Sequence, residues 1–217
     1  MPKWVKICLG ILLLPVCVAT AEAVWRLLSR TTVADRLWLP MLAGAGCWIA
    51  LFLLLPKPML VYVFGHELTH AVWTWLFGGR VKKFKAGSDG GHVVTTKSNF
   101  LIILAPYFFP LYAVLLVLLF MLLYLVGAWR AAYVPWFHLL LGAAYAFHVT
   151  LTWHILQTRQ TDITSQGYIF SATVIFLGNA LILLLCIPIL TRESILQAFT
   201  LWVRCNKEVF IRILNWI

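Results

Sequence analysis

Apolar runs of membrane-crossing length dominate this chain, separated by short polar or proline-rich connections. About 20 apolar residues in helical form cross a bilayer core. Runs of that order extend roughly from Val5 to Trp25, Leu37 to Leu55, Met59 to Phe77, Phe100 to Trp129, Tyr133 to Leu156 and Tyr168 to Leu190. Of 217 residues, 63% are hydrophobic and 11% charged. A soluble domain carries about 25% charged residues, so these few charges cannot cover a water-facing surface. Because hydrocarbon offers the backbone no hydrogen-bonding partner, spanning segments of this length are helical. The expected fold is an all-α polytopic membrane protein with about six transmembrane helices.

The connections add detail. Pro56-Lys57-Pro58 separates the second and third runs, since proline has no N–H to continue a helix. The fourth run is long and contains Pro106 and Pro110, which predicts a kink or tilt. Residues Arg80 to Ser98 are polar and do not span. Val81 to Lys85 alternates, Ser88-Asp89-Gly90-Gly91 is a turn signal, and His92-Val93-Val94-Thr95-Thr96 resumes the strand pattern, so a short β-hairpin is expected. From Thr191 to Ile217, apolar residues at helical spacings interleave with Arg192, Arg204, Lys207 and Arg212, as in an amphipathic helix on a membrane surface. The chain thus divides into N-terminal transmembrane helices (1–56), a membrane core (57–190) and an interfacial tail (191–217). The N-terminal stretch, read as Lys3 and Lys6, then apolar Ile7 to Cys17, then small residues from Ala19 to Ala23, also fits a signal peptide. Its length, with Glu22 at the interface, favours a retained helix.

The net charge of +10 raises nucleic acid as a partner. The bases are scattered over connections between apolar runs, which suits lipid headgroups, so the lipid bilayer and no nucleic acid is the reading. Basic residues divide almost evenly between the two membrane sides. The hairpin loop holds Arg80, Lys82, Lys83, Lys85 and Lys97, the largest cluster between spans, which places it in the cytoplasm. The five cysteines form no C-x-x-C pair and read as buried membrane thiols.

Inside the third run lies His66-Glu67-Leu68-Thr69-His70, an H-E-x-x-H motif. Ionisable residues in a span cost about 2.5–3.5 kcal/mol each on insertion scales and mark function by default. Residues i and i+4 of a helix differ by about 40° of rotation, so His66 and His70 face the same way and can share one ion. Imidazole pairs of this kind bind zinc. Zinc lowers the pKa of a coordinated water to about 7, and Glu67 stands where it can take that water's proton and pass it to a leaving amine.

A catalytic zinc site takes three protein ligands. Asp162, in Gln160-Thr161-Asp162-Ile163, is one candidate for the third; capping the last helix is its alternative role. With the hairpin in the cytoplasm, the third and fifth spans run inward together, which brings Asp162 and the histidine pair toward one face. His148 and His154 also compete; about 240° apart on a helix, at most one of them can face the ion. Asn179 is a lone polar residue in the last run, read either as a helix-to-helix hydrogen-bond partner or as a donor to a substrate carbonyl.

These pieces resemble the site-2 protease family of intramembrane zinc metalloproteases, most closely its small bacterial branch. The matching stretches are Gly65-His66-Glu67-Leu68-Thr69-His70-Ala71, Phe77-Gly78-Gly79-Arg80-Val81, the turn Asp89-Gly90-Gly91, and Thr161-Asp162 followed by Gly167, within roughly Met59 to Leu190. Better-known members have an Asn-Pro-rich stretch leading into Leu-Asp-Gly, where this chain has Thr161-Asp162-Ile163. The resemblance implies one Zn2+ per chain held by His66, His70 and Asp162, with Glu67 as base. It also implies an integral protein of a bacterial inner or cell membrane, its active site toward the cytoplasm. The substrate would be a transmembrane protein, unwound near the zinc and held by strand addition along His92, Val93, Val94, Thr95 and Thr96, with Asn179 on a substrate carbonyl. With no room for an inserted peptide-binding domain, substrate selection falls to the membrane part or to a membrane regulatory partner. Two other classes fit the same residues: an inactive homologue serving as membrane scaffold or chaperone, and a metal transporter.

Overall fold

The computed structural model describes residues 2–30 and 35–216, with backbone alone at Asp35 and Arg36. The element order is α1 (Lys3–Leu28), α2 (Asp35–Leu54), α3 (Met59–Leu76), β1 (Val81–Gly87), β2 (Gly90–Thr95), α4 (Phe100–Phe108), α5 (Leu111–Leu125), α6 (Val134–Leu156), α7 (Thr161–Gln166), α8 (Tyr168–Thr191) and α9 (Ile195–Leu214), with a single 3-10 turn (Ala131–Tyr133) leading into α6. This is an all-α membrane protein with one small antiparallel sheet. Large apolar side chains such as Leu12, Leu53, Leu122 and Ile189 are exposed along the long helices, as a lipid-facing surface requires.

The number of spans differs from six. Among the described residues, four helices are long and apolar enough to cross a membrane, or five if one bent pair counts as a single span. The fourth run is that pair: α4 and α5 bend by 77° at Phe109-Pro110. Pro110 supplies no N–H to carry α4 onward, and it begins α5 instead. The third run does form a helix, α3, but it is not among the helices that pass as apolar spans. Two histidines and a glutamate in 18 residues lower its hydropathy.

Two compact units make up the chain, Met1–Val33 with Thr161–Ile217, and Ala34–Gln160. In the second unit α2 packs along α6. Their backbones nearly touch: a Cβ on Gly44 would stand 1.8 Å from the Leu139 carbonyl oxygen, and one on Gly142 would stand 2.0 Å from that of Met41. Small residues at a crossing permit this in membranes, where packing replaces the hydrophobic drive. The Trp48 indole donates to Thr150 Oγ1 (2.8 Å) across the same pair.

Helix α3 starts after Pro58 and stops at a glycine. Gly78 takes φ +67°, Gly79 N–H donates to Thr74 O and Gly78 N–H donates to Trp75 O, both at 2.8 Å. This two-bond glycine cap terminates the helix and turns the chain into β1. The hairpin is tighter than its sequence suggests: Gly87 pairs with Gly90, leaving Ser88 and Asp89 as a two-residue loop. Gly90 has φ +133°, backbone that favours glycine. Strand β2 ends at Thr95, so Thr96 lies just past it; Thr96 N–H still donates to Arg80 O (2.9 Å).

In the first unit, α1 packs against α8 and α9. Ala19, Ala23, Leu27, Leu184, Ile187, Ala198, Leu201 and Cys205 form its core. The C-terminal segment is one helix, and its Ala198-Leu201-Cys205-Val209 face is buried. The Trp202 indole donates to Thr20 Oγ1 (2.9 Å). Arg26 Nη2 meets Glu208 Oε2 at 2.7 Å, and Arg212 Nη2 lies 2.7 Å from both oxygens of Glu22. Of the cysteines, Cys17 and Cys205 are buried, whereas Cys8, Cys47 and Cys186 lie on exposed helix surfaces, because the apolar runs face outward there.

Replacing Gly142 with alanine should cost about 1–3 kcal/mol, the usual penalty of overpacking, because the neighbour struck is backbone. Denaturant titration in detergent, with the surface variant Leu140→Ala as reference, measures this; equal midpoints would contradict the close approach. The Glu208 carboxyl is held below the usual glutamate range, chiefly by the Arg26 hydrogen bond. Its contribution is therefore present above the ordinary glutamate pKa and is lost as pH falls through the lowered value. The protection of α9 amides, taken relative to the intrinsic exchange rate at each pH, should fall on acidification in wild type and less steeply in Glu208→Gln.

Candidate metal centre

Helix α3 places the motif. His66 and His70 lie one turn apart, ring centroids separated by 5.0 Å. Both are partly buried, and Glu67 is 7% exposed. The Thr69 hydroxyl donates back to Gly65 O (2.8 Å), so its polar atom is satisfied on its own helix.

The surroundings of this helix are supplied by α4, the hairpin, α5 and α6 of the same unit. Helix α4 packs on α3, setting Tyr107 edge-on to His66 at 5.2 Å. It also brings the Ile102 carbonyl oxygen to 2.8 Å from His70 Nδ1. A carbonyl only accepts, so that nitrogen carries the hydrogen. In a neutral imidazole the lone pair is then on Nε2, the arrangement metal-ligating histidines use.

The hairpin covers Glu67. A Cβ on Gly91 would lie 2.6 Å from Glu67 Cγ and 2.9 Å from its Oε1. The strand therefore lies so near the carboxylate that a side chain at position 91 would clash with it. Phe84 of β1 stacks edge-on to Phe64 of α3 at 5.7 Å. From α5, Tyr112 closes over Gly65, where a Cβ would meet its ring at 2.6 Å. The Tyr112 hydroxyl donates to Val61 O. Between these parts lies a small cavity lined by Tyr62, Gly65, His66, Tyr112, Phe147 and His148, with about 20 Å³ open to water.

Asp162 sits in the first turn of the six-residue helix α7, not at the start of α8. Gly167, at φ +93°, precedes α8 in its place. Ser165 Oγ donates to the Asp162 backbone carbonyl (3.0 Å), and Lys6 Nζ donates to Gln166 Oε1 (2.7 Å), tying α7 to α1. Asp162 is partly buried on α7, and His66 and His70 set two imidazoles side by side on α3. His148 is buried on α6 and His154 lies toward its end. Asn179, half-buried on α8, donates from Nδ2 to Ile175 O (2.9 Å). His92, Val93, Val94 and Thr95 lie on β2, with His92 and Val94 exposed.

The imidazole pair fits zinc, an ion that takes histidine nitrogen, and the hydrogen bond to Ile102 O leaves Nε2 of His70 as its lone-pair nitrogen. Sequence reasoning named His66, Glu67, His70 and Asp162 as candidates. It did not find the Ile102 carbonyl, because a backbone oxygen leaves no mark on residue identity. It named Gly91 only as a turn glycine, although the spacing to Glu67 is what requires it.

Compared with protein-family models, curated proteins and solved structures, the chain matches none.

Gly91→Ala should loosen the hairpin, visible as faster amide exchange over residues 81–95. Part of that effect should vanish when Glu67 is also alanine, since Cγ is one of the atoms struck. Strictly additive effects in the double variant would show that the two positions do not touch.

Proposed function

We propose that the chain is an intramembrane zinc metalloprotease that hydrolyses peptide bonds of membrane-embedded protein substrates. The observation that carries this reading is the H-E-x-x-H turn of α3. Two imidazoles lie side by side there, one of them oriented by a backbone carbonyl, with a buried carboxylate between them in sequence. In this reading His66 and His70 would hold one Zn2+ per chain, with Asp162 as the third ligand. When bound, zinc polarises a carbonyl as a Lewis acid and acidifies water.

Glu67 is the general base. It accepts the proton of the attacking water and returns it to the amide nitrogen as the C–N bond breaks. Its burial under Gly91 excludes bulk solvent, which strengthens the electrostatics of the step. The hydrophobic wall of Tyr62, Tyr107, Tyr112 and Phe147 serves the same end.

A helical substrate has its amides bonded internally and must be unwound to be cut. Strand β2 pairs with β1 along one edge in a sheet of only these two strands among the described residues. Its other edge, along His92, Val93, Val94 and Thr95 and continuing to Thr96, holds the unwound segment by strand addition. Asn179 donates to a substrate carbonyl. The five bases of Arg80–Ser98 anchor this loop to anionic headgroups on the cytoplasmic face of a bacterial inner or cell membrane. Substrate choice rests with the membrane part or a membrane regulatory partner.

The test is a comparison of wild type, Glu67→Gln and Asp162→Ala, purified in detergent, by zinc per chain and by cleavage of transmembrane peptides. Wild type should hold one zinc and cleave. Glu67→Gln should keep the zinc and lose about 10²–10⁴-fold in rate, and Asp162→Ala should lose the metal. Full zinc occupancy in Asp162→Ala would remove it as a ligand. Zinc without cleavage in every chain would leave a scaffold, and zinc flux surviving Glu67→Gln in proteoliposomes would indicate a transporter.

A further inference from the structure

The Ile102 carbonyl that meets His70 is available for a definite reason. In α4 it would ordinarily accept a hydrogen bond from the amide four residues on. That residue is Pro106, which has no N–H. Ile102 and Pro106 are both buried, so the oxygen cannot turn to water instead, and a buried carbonyl left without a donor is costly. Its own N–H is accounted for separately, by the Asn99 side chain at 2.9 Å. Carbonyls on either side keep the regular bond: Asn99 O accepts from Ile103 N–H at 3.0 Å, and Ala105 O accepts from Phe109 N–H at 2.8 Å; Pro106 O, four residues before Pro110, lies in the last turn, where helix carbonyls lack an intrahelical donor in any case. The gap in the helix ladder thus falls at the carbonyl that lies 2.8 Å from His70 Nδ1.

We propose that Pro106 is a positioning residue for the metal ligand His70. By deleting one amide hydrogen from α4 it reserves the Ile102 carbonyl for His70 Nδ1–H, which fixes the tautomer and the rotation of the ring and commits Nε2 to the metal. The inference rests on His70 being a ligand, as in the function proposed above. A proline in a membrane helix is commonly read as a kink, and the bend in this pair does occur, at Phe109-Pro110. Pro106 lies inside α4, before the break. With an amide at position 106, the Ile102 oxygen would be drawn along the helix axis toward position 106, away from the sideways approach that His70 makes.

The experiment uses the full chain in detergent, with zinc affinity measured by chelator competition and with 15N-histidine labelling for NMR. In metal-free wild type, the His70 ring should be the Nδ1–H tautomer, its proton exchanging slowly with solvent. Pro106→Ala should bind zinc about 10–100-fold more weakly, the usual cost of losing a ligand's supporting partner. Its His70 N–H should exchange rapidly while circular dichroism stays that of wild type. Pro15→Ala, which restores an amide inside α1, should change neither reading. Unchanged zinc affinity and unchanged His70 exchange in Pro106→Ala would overturn the proposal. So would an Nε2–H tautomer in wild type, a result that needs no variant and holds even if Pro106→Ala fails to fold. Wild type that shows the Nδ1–H tautomer but binds no zinc would overturn the ligand reading itself, and with it Pro106 as a positioning residue.

Discussion

A carboxylate and two imidazoles on an apolar helix have to be enclosed by the rest of the chain, and most of the unit that contains them follows from that need. Lipid would exact a cost of a few kcal/mol for each such group. The protein answers on three sides. The hairpin backbone at Gly91 lies on Glu67, α4 presents Ile102 O and Tyr107 to the histidines, and Tyr112 closes over Gly65. Each contact depends on a residue with something missing: a side chain at Gly91 and Gly65, an amide hydrogen at Pro106.

Breaks in helices are used in the same way. The glycine cap at Gly78 and Gly79 stops α3 and sends the chain into β1, so that the hairpin folds back onto the helix it came from. Pro110 divides what would be one long span into α4, which packs on α3, and α5, which packs on α6. An unbroken helix would have pointed in one direction only and could not have done both. Backbone irregularity is tolerated at such depth when it is buried in protein and its polar groups find partners.

Away from the candidate centre, the helices are joined by close approach and by charge. Gly44 and Gly142 allow α2 and α6 to meet backbone to backbone, which compensates for the weak drive toward association among apolar helices. In the other unit, α9 carries too many charges to pass as a span, yet it buries a face of Ala198, Leu201, Cys205 and Val209 and pairs Glu208 and Arg212 with Arg26 and Glu22 of α1. The helix is amphipathic, and α1 and α8 of the same unit take up its apolar side.

The sequence by itself determined the helical class, the places of nearly every helix and hairpin strand, and the residues His66, Glu67, His70 and Asp162 as candidates. Apolar run length, proline positions and i,i+4 spacing are local properties, and they are read without knowing what packs against what. Three things were left to the tertiary structure. Whether the run from Phe100 to Trp129 was one span or two helices depended on how α4 and α5 found different neighbours. The turn at Ser88-Asp89 shortened because cross-strand pairing carried on to Gly87 and Gly90. The partner of His70 Nδ1 was a backbone carbonyl, chemically identical at every residue and distinguished only by the missing hydrogen of Pro106. Such an oxygen acquires a role only when folding brings a donor to it, and no pattern of side chains records that meeting.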